Sequence, residues 1–273
     1  MNKIIKIYCE GKKGSHDYDI LEKVMSGISV HVQIDPIGGI RGAGAIIHYK
    51  ETEIVKSDFK ILFRDRDFDK PIPKDPILEQ DNDRKYCYYS YRNTIENYLF
   101  DTAVFFSFLK EKDLCEKYAV HSENDVKDNF IGAADKIKYY QAVRHTMGKM
   151  RTDETDFGTK LTEKSGILPK RLDETFCKDE ALSKIEKATL ATNSWTEDNF
   201  LRFYQDFIDI FNNDFMRNLD FLIYFQGKDF ASSLKLILPD FPLKTYYKFA
   251  KKQFDYHKFP DLVQLRELIR KEL

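Results

Sequence analysis

The stretch that most constrains this chain is KILFRDRDFD at residues 60–69. Its apolar centre, Ile61-Leu62-Phe63, has the length and flanks of a buried strand. Acids then follow at every second position: Asp65, Asp67 and Asp69. Side chains alternate across a strand, so the pattern predicts Asp65 and Asp67 on one face and Arg64 and Arg66 on the other. Two carboxylates held that close repel one another unless a cation lies between them, and hard oxygen donors of this kind suit Mg²⁺ or Mn²⁺. The expectation is a strand that ends at a divalent metal.

The residues before it supply a frame for such a strand. Residues 4–9, IIKIYC, are β-rich and broken by Glu10-Gly11. Asp17 is expected to cap a helix with apolar positions Ile20, Leu21, Val24 and Met25, closed by Gly27. A second strand is expected at 29–34 and a second helix at about 43–55, introduced by Gly38-Gly39 and Gly42. The order βαβαβ with short connections predicts parallel strands, and ligands of such sheets collect beyond the carboxyl ends. Glu10 and the Asp65/Asp67 pair stand at two of those ends.

Residues 70–76 are punctuated by prolines and read as loop. YCYYSY at 86–91 is a fourth candidate strand, running into a helix capped by Asn93 or Thr94 with Glu96 in its first turn. From 101 to 215 the pattern becomes helical, with segments expected at 103–118 and, after a cap at Ser122, at 125–150. Residues 133–151 carry Lys136, Lys138, Arg144, Lys149 and Arg151 among Tyr139, Tyr140 and His145. A basic, aromatic-bearing helix of this kind can track a phosphate backbone, and its bland alternative is a solvated charged face. Residues 152–179 read as a polar mobile or binding loop. LDFLIYF at 219–225 reads as a further strand, followed by Gly227-Lys228-Asp229 at a helix start, where a cation and backbone donors would meet an anion. That motif lacks the glycine and Ser/Thr of a P-loop. The divisions expected are an α/β core at 1–100, a helical insertion at 101–215, a returning strand and helix at 216–240, and a helical tail at 241–273.

With 42% apolar and 33% charged residues, the composition is that of a globular protein. A formal net charge of -1 means that any polyanion must be met by a local basic surface. The four cysteines, Cys9, Cys87, Cys115 and Cys177, have neither zinc spacing nor a disulfide framework. No apolar run approaches the roughly 18 residues of a membrane span. A reducing, cytoplasmic setting without membrane contact is expected.

Tyr8-Cys9-Glu10-Gly11, the acid-bearing helix start at Asp17, and Arg64-Asp65-Arg66-Asp67 closing a strand together resemble a Toprim domain. This is the metal-binding module of topoisomerases, primases and OLD-family nucleases. Ile95-Glu96-Asn97-Tyr98-Leu99 and Gly227-Lys228-Asp229 resemble a narrower Toprim/OLD-like group, stand-alone proteins with a helical insertion that include the nuclease subunit of PARIS anti-phage defence systems. The loop at 12–16 is longer than the family's Glu-Gly-x-x-Asp spacing, so the second acid is Asp17 or Asp19.

The resemblance implies a Toprim-like parallel sheet flanked by helices and a metal-dependent endonuclease. Glu10, Asp65 and Asp67 would bind Mg²⁺ or Mn²⁺, Asp17 and Glu96 would be second-site or outer ligands, and Lys228 would meet the scissile phosphate. Lys136, Lys138, Arg144 and Lys149 are the candidate nucleic-acid contacts. A PARIS-type effector further implies tRNA cleavage after release from an ABC-type ATPase partner, with a homodimer as the active form. Alternatives are an OLD-like DNA nuclease, a catalytically inactive Toprim nucleic-acid-binding or adaptor protein, and another Mg²⁺-dependent phosphotransfer.

Overall fold

Five short strands make one α/β sheet in the order β2-β1-β3-β5-β4. They are β1 (Ile5–Cys9), β2 (Val32–Pro36), β3 (Phe59–Arg64), β4 (Glu79–Gln80) and β5 (Cys87–Tyr89). The first three and β5 are parallel, and β4 joins the edge antiparallel to β5. This computed structural model describes all residues except 1–2, 40–41, 55, 152–157 and 190–195.

Two units emerge along the chain. One comprises Met1–Arg66, Pro73–Leu99 and Lys248–Leu273, and the other Asp67–Ile72 and Phe100–Tyr247.

The first unit carries the sheet. Tyr8 of β1, paired with Leu62 of β3, shares one face with Cys87 and Tyr89, and that face packs on Ile37, Ala43 and Ile47. Ala43 and Ile47 belong to α2 (Ala43–Tyr49), which continues as a π-helical turn, Lys50–Ile54. Helix α1 (His16–Met25) buries Ile20, Leu21, Val24 and Met25, the expected stripe. Its cap is Ser15, not Asp17: a hydroxyl reaches the Tyr18 N–H, and Asp17 falls in the first turn, where an acid suits the helix dipole. The second strand begins and ends later than expected, and it takes in Asp35 and Pro36 as an edge strand can. Near the sheet's other edge, Ile95–Leu99 forms a fully buried 3-10 turn that packs on α1. The C-terminal helix of this unit, called α12 below (Pro260–Glu272), also packs on α1. Its buried Asp261 accepts hydrogen bonds from the Tyr91 N–H at 2.9 Å and from the Tyr98 hydroxyl.

The second unit is helical: α3 (Thr102–Glu111), α4 (Cys115–Tyr118), α5 (Glu123–Met150), α6 (Glu174–Thr189), α7 (Glu197–Ile210), α8 (Asn213–Arg217), α9 (Phe221–Tyr224) and α10 (Gly227–Ile237). Helix α11 (Leu243–Gln253) precedes α12. The helix expected at 103–118 breaks at Asp113, which has φ 53°. Helix α5 starts where the sequence marks it, at a capping box in which Ser122 and Asp125 satisfy each other's N–H groups. It is the central helix of its unit, packed on α3, α6, α7, α8 and α10. From Tyr140 to Met147 every residue is buried, as a helix surrounded by others requires.

One expectation fails here for a clear reason. LDFLIYF is not a strand: Leu219 turns at φ 63° and Phe221–Tyr224 is helical. Its aromatic residues are claimed by neighbours, Phe225 by Phe211 at 4.9 Å and Phe221 by Phe230 at 5.4 Å. Tertiary packing overrides β propensity in so short an apolar run. Within 152–179, residues 152–157 lie outside the described set, and Glu174 onward belongs to α6. The part between is irregular, as a loop is, and within it Gly166 accepts from the Ser232 hydroxyl at 2.6 Å and donates its N–H to Asp229 at 2.7 Å. Among the described residues, no helix is long and apolar enough to cross a membrane.

Candidate metal centre

Glu10 stands one residue beyond β1 and Arg64 closes β3. Parallel register pairs Cys9 with Phe63, so the next residues, Glu10 and Arg64, face each other on one side of the sheet. Arg64 Nε lies 3.5 Å from Glu10 Oε1. The same guanidinium reaches the Tyr89 hydroxyl at 3.1 Å and lies over that ring at 5.2 Å. Tyr89 passes the contact on by donating to Asp81 at 2.8 Å. Sequence reasoning assigned Arg64 to the opposite face and missed this role. The signal was present in the register of two adjacent parallel strands.

The backbone on either side of Glu10 is fixed by the turn after β2. Ile37 N–H donates to the Cys9 carbonyl at 2.9 Å and Gly38 N–H to that of Gly11 at 2.8 Å. Gly11 has φ 65°, and a Cβ there would lie 2.2 Å from Ser15 Oγ and 2.7 Å from Asp17 Oδ2. Only glycine admits this turn with the carboxylate of Asp17 folded against it.

Asp17 and Asp19 part ways. Asp19 is ion-paired with Lys251, while Asp17 lies beside Gly11. Asp35, at the end of β2 and bridged to Lys50, joins the group as an acid not anticipated. Burial and then the charges of Asp17, Asp35 and Glu10 push the Cys9 thiol up to about 12. Three carboxylates from three elements therefore bear on the carboxyl end of β1.

Asp65 and Asp67 depart from the expected geometry. Strand β3 ends at Arg64, so alternation does not extend to them. Asp65 instead accepts the Ile95 N–H at 2.8 Å, holding the start of the 3-10 turn. Asp67 turns at φ 47°, a left-handed conformation in which Asp is tolerated, and groups with the second unit. Glu96 is buried in the turn that Asp65 holds.

Whether these residues suit Mg²⁺ is a question of donor type and number. All are carboxylates, the donors that Mg²⁺ favours. Among the described residues, no three of His, Cys, Asp and Glu are grouped to hold one ion. Mg²⁺ commonly keeps several waters and takes only one or two protein carboxylates, so carboxylate donors need form no closed cage to serve it.

In the second unit, Lys228 is exposed in the first turn of α10. The anion at that helix start is the chain's own Asp229, fully buried and bonded to Gln141 at 2.9 Å, to the Gly166 N–H at 2.7 Å and to Arg144. Arg144 is accordingly an interior residue, not a nucleic-acid contact, since only 2% of it is exposed. Lys136 faces solvent, Lys138 pairs with Asp135 at 2.8 Å, and Lys149 pairs with Asp206 at 3.3 Å. The basic stripe read along this helix is thus interrupted by its buried face.

No protein-family model matches this chain, and no curated protein matches it.

Proposed function

We infer that the protein is a Toprim-like, divalent-metal-dependent endonuclease, with tRNA as the favoured substrate. The observation that supports this most is the gathering of Glu10, Asp17 and Asp35 at the end of β1, where β2 pairs Asp35 with Tyr8 and the Gly11 turn lies against Asp17. Such a concentration of negative charge beyond parallel strands attracts a cation. Glu10 is assigned the ion directly, with Asp17 and Asp65 as further carboxylates and Glu96 as an outer one. When bound, Mg²⁺ supplies polarisation of the phosphate and activation of water. Arg64 positions Glu10, its Nε lying 3.5 Å from the carboxylate. A defence role, an ABC-type ATPase that restrains the chain, and a homodimeric active form belong to the same proposal.

One observation favours a second reading. The Arg64–Glu10 pair already supplies a cation to the central carboxylate, as a nucleic-acid-binding adaptor without catalysis would tolerate. Induced expression of the wild type and Glu10→Ala, with and without a neighbouring ATPase gene, separates the two when RNA ends and genomic breaks are sequenced. Cuts confined to tRNA and lost in Glu10→Ala are the expected result. Cuts in DNA would replace tRNA by DNA as substrate, and no cuts with any partner or metal would leave the adaptor.

A further inference from the structure

A cavity of about 540 Å³ opens in the second unit, lined by residues from four stretches of the chain, Tyr224 of α9 among them. Phe68 to Ile72 form one wall, the end of α5 with His145, Lys149 and Arg151 a second, and Phe207 and Ile210 of α7 a third. The walls are aromatic. His145 stacks on Phe207 with centroids 4.8 Å apart and an interplanar angle of 27°, and Phe68 meets the His145 edge at 4.8 Å. His145 Nε2–H donates to the Tyr224 carbonyl at 2.9 Å. Burial holds its ring down at about 4, so it is neutral at physiological pH and Nδ1 is an acceptor. Gly148 lets the two walls meet, because a Cβ there would stand 2.5 Å from the Phe68 carbonyl oxygen.

The rim is cationic. Lys70, Lys149 and Arg151 line the same cavity, where Arg151 pairs with Asp69 and Lys149 with Asp206 at 3.3 Å. Phe207 is only half-buried, so its ring is available to the cavity as well as to His145. Flat aromatic surface beside several cations is the chemistry that receives a nucleobase and its phosphate. The volume is within the range of small-molecule sites and admits one base with its sugar, and it excludes a duplex.

We propose that this cavity holds a single unstacked nucleotide of a nucleic-acid strand, its base on Phe207 and its phosphate at Lys70, Lys149 and Arg151. The choice of a polymer over a free nucleotide rests on the nuclease reading. It makes single-stranded or looped segments the substrate class, since a paired base cannot enter.

The test is binding of fluorescein-labelled hexauridylate in EDTA, where no metal-dependent cleavage can occur. The wild type is expected to bind it, and the duplex with oligoadenylate at least about ten-fold more weakly. Phe207→Ala should weaken binding by about ten-fold or more, the scale of one lost stacking contact. Lys70→Ala and Lys149→Ala each should lower the salt dependence by about one counterion, and these surface changes keep the test open should Phe207→Ala fail to fold. Unchanged binding in all three variants, or equal binding of the duplex, would overturn the pocket. Competition by uridine monophosphate as strong as by unlabelled hexauridylate would overturn the strand assignment. Binding that depends on Phe207 with no cleavage under any metal would sink the nuclease reading alone, and cleavage indifferent to all three variants would sink the pocket alone.

Discussion

Replacing Arg144 tests whether a basic residue in a basic helix serves the interior or a ligand. Arg144 and Asp229 are 3% and 0% exposed in their side chains, and they form an ion pair inside the second unit. Arg144 also lies over the Phe68 ring at 4.2 Å. Truncating one partner of a buried pair leaves the other charge uncompensated and costs roughly 3–5 kcal/mol. Asp229 would keep its bonds from Gln141 and Gly166, so Arg144→Met should fall toward the lower end, about 3 kcal/mol. At roughly 2–4 °C per kcal/mol for a domain of this size, the melting temperature should drop by about 6–12 °C. Urea and thermal unfolding followed by circular dichroism provide the measure. Because a neutral partner removes the stranded charge, Asp229→Asn in the Arg144→Met background should cost less than the sum of the two single changes. A melting temperature within about 2 °C of wild type, combined with weakened RNA binding, would refute the interior assignment and restore Arg144 to the nucleic-acid surface.

Other consequences follow from the geometry. His145 has a folded value of about 4 against an ordinary 6.5, so its neutral burial supports stability above pH 6.5. That support should be lost as pH falls toward 4, by about 3 kcal/mol in all; His145→Phe should flatten this limb of the stability profile, and an unchanged slope would contradict it. Gly11→Ala should destabilise the first unit by about 1–3 kcal/mol from the left-handed backbone alone, with more from the clash at Ser15 and Asp17. Unfolding midpoints equal to wild type would show that the turn after β1 is not as tight as the geometry indicates.

What could be read from residues and what could not divide along physical lines. Local chemistry was legible: Ser122 with Asp125 marks the start of α5, and the glycine after Glu10 marks a turn only glycine makes. The three parallel strands that begin the sheet were legible from βαβαβ order, because short connections leave few topologies. Contacts between distant residues were not. Nothing near Arg144 says that Asp229, 85 positions on, will draw it inside. The Ile61-Leu62-Phe63 strand was read correctly, but its end was placed too late, so Asp65 and Asp67 were assigned a shared face that the backbone does not give them. LDFLIYF had strand propensity and no pattern to separate it from a buried helix, and its aromatic neighbours decided the matter. Asp35 was visible only as a strand terminator, since its nearness to Glu10 depends on β2 lying beside β1.

The most direct test of the central claim is a Mn²⁺ titration followed by electron paramagnetic resonance on the wild type, Glu10→Gln, Asp17→Asn and Asp65→Asn. Saturable binding competed by Mg²⁺ is predicted for the wild type, abolished in Glu10→Gln and weakened in Asp17→Asn and Asp65→Asn, with Arg64→Gln still binding. Binding that is absent in the wild type, or the same in Glu10→Gln, would contradict a metal centre at the end of β1.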